Sequence, residues 1–102
     1  MSDIDWRAKH LDKNEARKLI SEIVTRYPTH IRFSRHALEE LEKDNLTTSD
    51  ALNVMKSSHS RILSDPEFEK GSYRYRLETS NIMVVISFTS PTSLVVVTAW
   101  RK

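Results

Sequence analysis

Cysteine is absent from the 102 residues, and glycine occurs once, at Gly71. Without cysteine there is neither a disulfide framework nor a thiolate metal site. A reducing cytoplasm is the compartment that fits. With one glycine, neither a G-x-G-x-x-G turn nor a P-loop can be built. Dinucleotide enzymes and nucleoside triphosphatases are therefore excluded, and no nucleotide cofactor is expected. No apolar run approaches the ~20 residues that span a bilayer. The start, Met1-Ser2-Asp3-Ile4-Asp5-Trp6, lacks the basic onset and apolar stretch of a signal peptide. No H-x-x-x-H pair is present, so no metal is expected. The expectation is one cytoplasmic domain, without membrane segment, metal or cofactor.

Charge is present in both signs but unevenly placed. Residues 71–102 hold four Lys/Arg and one acid, a balance of +3, whereas residues 1–70 hold twelve and thirteen, a balance of −1. The whole net charge of +2 thus comes from the last third. That third also holds Tyr73, Tyr75 and Trp100, and cations interleaved with aromatics suit a single-stranded nucleic acid.

Residues 1–12 show no clear period and read as a tail or a short helix. Asp12 and Glu15 have capping-box spacing. Behind them Ala16, Leu19, Ile20, Ile23, Val24 and Tyr27 form one helical stripe, which Pro28 stops. The first helix is predicted from about 13 to 26, with the N-terminal helical unit closing at 27. Ile31-Arg32-Phe33 reads as a short strand. Ser34 caps a second helix over Ala37, Leu38 and Leu41, and Asn45 suits its left-handed end. Thr47 and Asp50 cap a third helix, ending near Ser57. Arg61-Ile62-Leu63 reads as a strand and 67–71 as a charged loop. From Ser72 the period is two. Tyr73, Tyr75 and Leu77 share one strand face; Arg74, Arg76 and Glu78 share the other. Ile82 to Phe88 reads as a central strand. In the last strand Leu94, Val96, Thr98 and Trp100 alternate with Val95, Val97 and Ala99. The predicted fold is α+β: N-terminal helices on one face of a small C-terminal antiparallel sheet, whose free face presents Arg74, Arg76, Thr98 and Trp100.

Two arginines side by side can grip a phosphate and stabilise the charge that builds during its cleavage. The plainer reading is an exposed strand with Glu78 as partner. His36, beside Arg32 and Arg35, has the residue type of a general acid or base; the plainer reading is a surface histidine. Thr98, Trp100 and Arg101 could orient a nucleotide by hydrogen bonding, stacking and phosphate contact. Lys56 and Tyr75 are lesser candidates. A groove-reading helix pair is a weaker alternative, because the third helix offers Lys56 alone as a cation beside Asp50 and Asn53.

The order Ile31-Arg32-Phe33-Ser34-Arg35-His36-Ala37, a Thr-capped helix, the Tyr-Arg-Tyr-Arg strand and the ending Val97-Thr98-Ala99-Trp100 resembles a group of small bacterial domains. Through them it resembles the ribonuclease-toxin superfamily of RelE, BrnT and MqsR type, with the barnase–EndoU–colicin–RelE fold. The resemblance covers about residues 29–102. It implies a metal-independent endoribonuclease, the toxin of a toxin–antitoxin pair, acting on messenger RNA, free or ribosome-bound. It assigns catalysis to His36, Arg74 and Arg76 and RNA binding to Lys56, Tyr75, Thr98, Trp100 and Arg101. It also implies an antitoxin with an acidic segment. The alternative is a non-catalytic RNA- or protein-binding module on the same fold.

Overall fold

A computed structural model describes residues 4–102. Three helices, α1 (Lys13–Arg26), α2 (Arg35–Lys43) and α3 (Thr48–Lys56), precede most of the sheet. The strands are β1 (Ile31–Phe33), β2 (Arg61–Ile62), β3 (Glu67–Glu69), β4 (Ser72–Glu78), β5 (Ile82–Ser90) and β6 (Ser93–Arg101). Their order is β1-β6-β5-β4-β2, with β3 paired to the outer side of β4. The domain is α+β, as its pattern predicts.

Local chemistry explains the helices. The Asp12 carboxylate accepts the Glu15 amide at 2.8 Å, and the Ser34 hydroxyl accepts that of Ala37 at 3.0 Å. Thr47 and Asp50 close a reciprocal capping box. Each such cap contributes about 1 kcal/mol. Asn45 ends α2 at φ 56, where its short side chain tolerates the left-handed region. The apolar stripes then meet the sheet. Ile20, Ile23, Leu41 and Met55 pack with Tyr75, Leu77, Val84, Ile86, Phe88, Leu94 and Val96, all nearly inaccessible. Burying each of these side chains is worth about 2 kcal/mol before the entropy of ordering is counted.

Four features differ from the expectation. The sheet is mixed rather than antiparallel, because β1 runs parallel to β6. A three-residue strand carries no periodicity from which a partner could be read. Residues 67–71, expected as loop, contribute β3. Lys70 (φ 51) and Gly71 (φ +83) both take left-handed conformations, the two-residue turn that matches strand twist and closes a hairpin.

In β6, Val85 of β5 opposes Thr98 while Ile86 opposes Val96, so Val97 is an extra residue, a bulge. Leu94 and Val96 therefore face the helices, and Thr98 and Trp100 face away.

Residues 5–11 are not a free tail. Pairing of β4 with β5 begins at Tyr75, and ahead of it the Tyr73 amide donates to the Arg7 carbonyl at 2.7 Å. Leu11 is buried, and Trp6 packs against the core.

Candidate functional site: the helix-free face of the sheet

Side-chain alternation divides the sheet cleanly. Tyr75, Leu77, Val84, Ile86, Leu94, Val96 and Ala99 enter the core with the helices. The opposite face carries two cross-strand rows. One runs Arg76–Val85–Thr98 across β4, β5 and β6. The next runs Arg61–Glu78–Met83–Trp100 across β2, β4, β5 and β6. Directly paired residues stand ~5 Å apart. Arg76, Thr98 and Trp100, predicted as functional, therefore share one face, with β5 and its Val85 and Met83 between the arginine and the other two. Arg74 lies on the same face, two residues back along β4.

Both arginines have carboxylate partners on the β3 hairpin. Arg76 Nη2 is 3.7 Å from Glu67 Oε1, and Arg74 Nη1 is 3.6 Å from Glu69 Oε2. The Arg76 side chain is 48% exposed and that of Arg74 22%, so Arg76 is the one open to a ligand. Exposed pairs at this distance are worth under ~1 kcal/mol and are exchanged readily. Two buried polar atoms, Arg74 Nε and Ser87 Oγ, have no hydrogen-bond partner among the described residues. Both residues belong to this face. Native proteins seldom leave such groups unpaired.

At the β2 edge the face ends in a small cleft of about 170 Å³. It is lined by His59, Arg61, Glu78 and Lys102, with Thr79 and Ser80. Lys102 is ion-paired to Glu78 and also donates to the Thr79 carbonyl at 3.2 Å. A histidine, a carboxylate and two cations thus adjoin Arg76 and Trp100. This grouping was missed from sequence. His59 and Lys102 reach it only through the pairing of Arg61 with Glu78 and the length of β6.

Other predicted residues lie elsewhere. His36 is exposed on the first turn of α2. That helix packs on β6, and its Ser34 cap donates to the Val97 carbonyl at 2.8 Å. β4 is two strands inward from β6, ~10 Å at normal strand spacing. The structure does not bring His36 together with Arg74 and Arg76.

Tyr75 is 1% exposed, inside the core against Phe88, so it cannot stack on a base. Arg101, paired with Ile82, falls on the helix side, where its amide donates to Asp44 Oδ2 at 2.8 Å and its guanidinium to the Asp44 carbonyl. It finishes α2 rather than the sheet face. Lys56 is exposed in the last turn of α3, on the helix side. Among the described residues no group of His, Asp and Glu is arranged to hold a metal ion. No helix among them is long and apolar enough to cross a membrane.

No protein-family model, curated protein or solved structure matches this chain.

Proposed function

We propose that the protein is a metal-independent endoribonuclease of toxin type that binds single-stranded RNA across the helix-free face of its sheet. The observation that carries the reading is the row Arg76–Val85–Thr98 lying beside Glu78–Met83–Trp100, with Arg61 and Lys102 at its edge. Such a face offers an indole for a base, a hydroxyl, and guanidinium groups for phosphate.

Cleavage needs a base to take the ribose 2′-OH proton while that oxygen attacks the adjacent phosphorus. The bond to the 5′-oxygen then breaks, and an acid returns a proton to the leaving oxygen. In this reading Glu78 and His59 supply the proton transfers, and Arg61, Arg76 and Lys102 offset the charge on phosphate. They are favoured over His36 because they adjoin the arginine row. An antitoxin with an acidic segment would cover the same cations and be steered to them.

One observation favours the second reading, a binding module without catalysis: Arg74 and Arg76 are both already ion-paired, to Glu69 and Glu67.

The test is a pulse of expression in bacteria with growth followed and transcript ends mapped. Wild type is compared with Arg76→Ala, His59→Ala and His36→Ala. Recurrent new ends that vanish in Arg76→Ala and His59→Ala but persist in His36→Ala are the expected result. Ends that depend on His36 and not on His59 would move the chemistry to α2. An unchanged end profile with folded protein would leave the binding module.

A further inference from the structure

The other end of the helix-free face holds a second cleft, of about 510 Å³, which the ribonuclease reading does not use. That volume falls in the ordinary range for small-ligand sites. Arg32 enters it from β1 and Arg7 from the N-terminal segment. His30 forms one wall, and Thr89, Ser90, Thr92 and Ser93, around the β5–β6 turn, form another. Among the described residues no carboxylate lines it.

Two arginines give this cleft its charge. Of the other cations, Arg26, Lys43, Arg74, Arg76 and Lys102 have carboxylate partners and Arg17 binds backbone carbonyls, whereas Lys13, Lys18, Arg35, Lys56, Arg61 and Lys70 have no partner among the described residues. Among the described residues the side chains of Arg7 and Arg32 have neither a carboxylate within ion-pair distance nor a hydrogen bond. Two guanidinium groups converging on a space without carboxylate create a local positive potential that favours an anion.

The opposite wall is ordered to receive one. Ser93 Oγ is 2.6 Å from both Thr89 Oγ1 and Ser90 Oγ, and the Thr92 amide donates to Ser90 Oγ at 3.1 Å. His30 Nδ1 donates to the Thr92 carbonyl at 3.1 Å, since a carbonyl can only accept. This bond ties the turn to the start of β1, so the hydroxyls and Arg32 are held in one frame. Val95 of the cleft wall is paired with Ser87, which fixes the position of the cleft along β5; the Ser87 hydroxyl itself is buried and does not line the space. A carboxylate would occupy one guanidinium fork. A phosphate monoester has three terminal oxygens and up to two charges, enough for both forks and a hydroxyl.

We propose that this cleft is a binding site for a phosphate monoester group. The group can come from a free phosphate or small phosphorylated metabolite, or from the 5′ end of an RNA lying on the same face. Four residues of β5, ~13 Å, separate Ser87 from Met83 beside Trp100, so one strand of RNA can reach both ends.

The first measurement is a titration of the wild-type, isotope-labelled chain with inorganic phosphate, followed by amide NMR. Saturable shifts confined to residues 29–32 and 89–93 are expected. Affinities are then measured for a short RNA bearing a 5′-phosphate and for the same RNA with a 5′-hydroxyl, on wild type, on Arg7→Gln with Arg32→Gln, and on Arg76→Ala.

A gain of tenfold or more from the 5′-phosphate, lost in Arg7→Gln/Arg32→Gln, identifies an RNA end as the source. Phosphate shifts at the cleft without that gain identify a small ligand. The proposal is overturned if phosphate leaves the 89–93 amides unmoved. It is equally overturned if the double variant, folded by its amide spectrum, binds phosphate as wild type does. Failure of the 5′-hydroxyl RNA to bind would count against the RNA reading alone.

Discussion

The Tyr75 hydroxyl accepts the Leu11 amide at 3.0 Å, joining the middle of β4 to a residue 64 positions earlier. The same hydroxyl donates to the Lys9 carbonyl at 3.3 Å. One buried phenol therefore fastens residues 9–11 across the sheet. Tyr75→Phe leaves the buried Leu11 amide without a partner, at a cost of ~1–3 kcal/mol. A fall in the urea midpoint with unchanged m-value is the expected result. A midpoint equal to wild type would mean that water serves the amide equally well.

Burial pushes the Tyr75 phenol above its ordinary value of 10.0, against the Leu11 hydrogen bond, which acts the other way. In the unfolded chain the phenol ionises at its ordinary value, while the folded form still holds the proton. The associated stability is fully present below pH 10 and is lost as pH rises through the raised folded value. Urea midpoints measured from pH 9 upward should decline more steeply for wild type than for Tyr75→Phe. Parallel declines would show that the lysines dominate instead.

Gly71 meets nothing within 4 Å of a β-carbon position, yet its φ of +83 strains any other residue. Gly71→Ala should cost about 1 kcal/mol, confined to the hairpin, because β3 is exposed along its length. Hydrogen exchange should quicken at residues 67–74 while the global melting temperature moves little. A large loss of global stability would show that β3 belongs to the cooperative core.

For RNA, Arg76→Ala should reduce the slope of log K against log salt by about 0.7, one phosphate's worth on a single strand. Trp100→Ala should cost ~1–3 kcal/mol and leave that slope alone, as stacking does. Fluorescence anisotropy with a short unstructured RNA at several salt concentrations separates the two. Equal slopes for wild type and Arg76→Ala would remove Arg76 from the phosphate path.

Glu67 competes with RNA for Arg76 in the proposed mode. Glu67→Gln keeps the strand and removes the charge, so RNA should bind more tightly, by ~2- to 5-fold, as expected for an exposed pair of under 1 kcal/mol. The same anisotropy assay reads it. Weaker binding would mean that Glu67 orients the guanidinium rather than occupying it.

Sequence legibility followed how local each signal was. Asp12, Ser34, Asn45 and the Thr47–Asp50 box mark helix ends because the groups they satisfy lie within four residues. The two faces of β4 were equally plain, since Tyr75 and Leu77 alternate with Arg74 and Arg76. The bulge at Val97 was not: in Leu94-Val95-Val96-Val97 both faces are apolar, so an extra residue leaves no break in pattern. β3 was hidden because Glu67-Phe68-Glu69 is exposed throughout and looks like loop. The cleft of His59, Glu78 and Lys102 depends on an edge pairing two residues long, and no spacing in the chain announces it. Tyr75 shows the converse. Its alternation placed it in the core, and only its residue type suggested a role on RNA.

The position of β6 has a temporal meaning. It lies between β1 and β5, yet every element it joins comes earlier in the chain. During synthesis β1 and α2 emerge some sixty residues before the strand they dock on. Until residues 93–101 are free of the ribosome, α2 and β1 lack the strand they pack on and one edge of β5 is unpaired. Non-local pairing of this kind closes slowly and leaves apolar surface open to other chains. Thr98 and Trp100 arrive on that same final strand, so the surface proposed to bind RNA is assembled in the step that completes the fold.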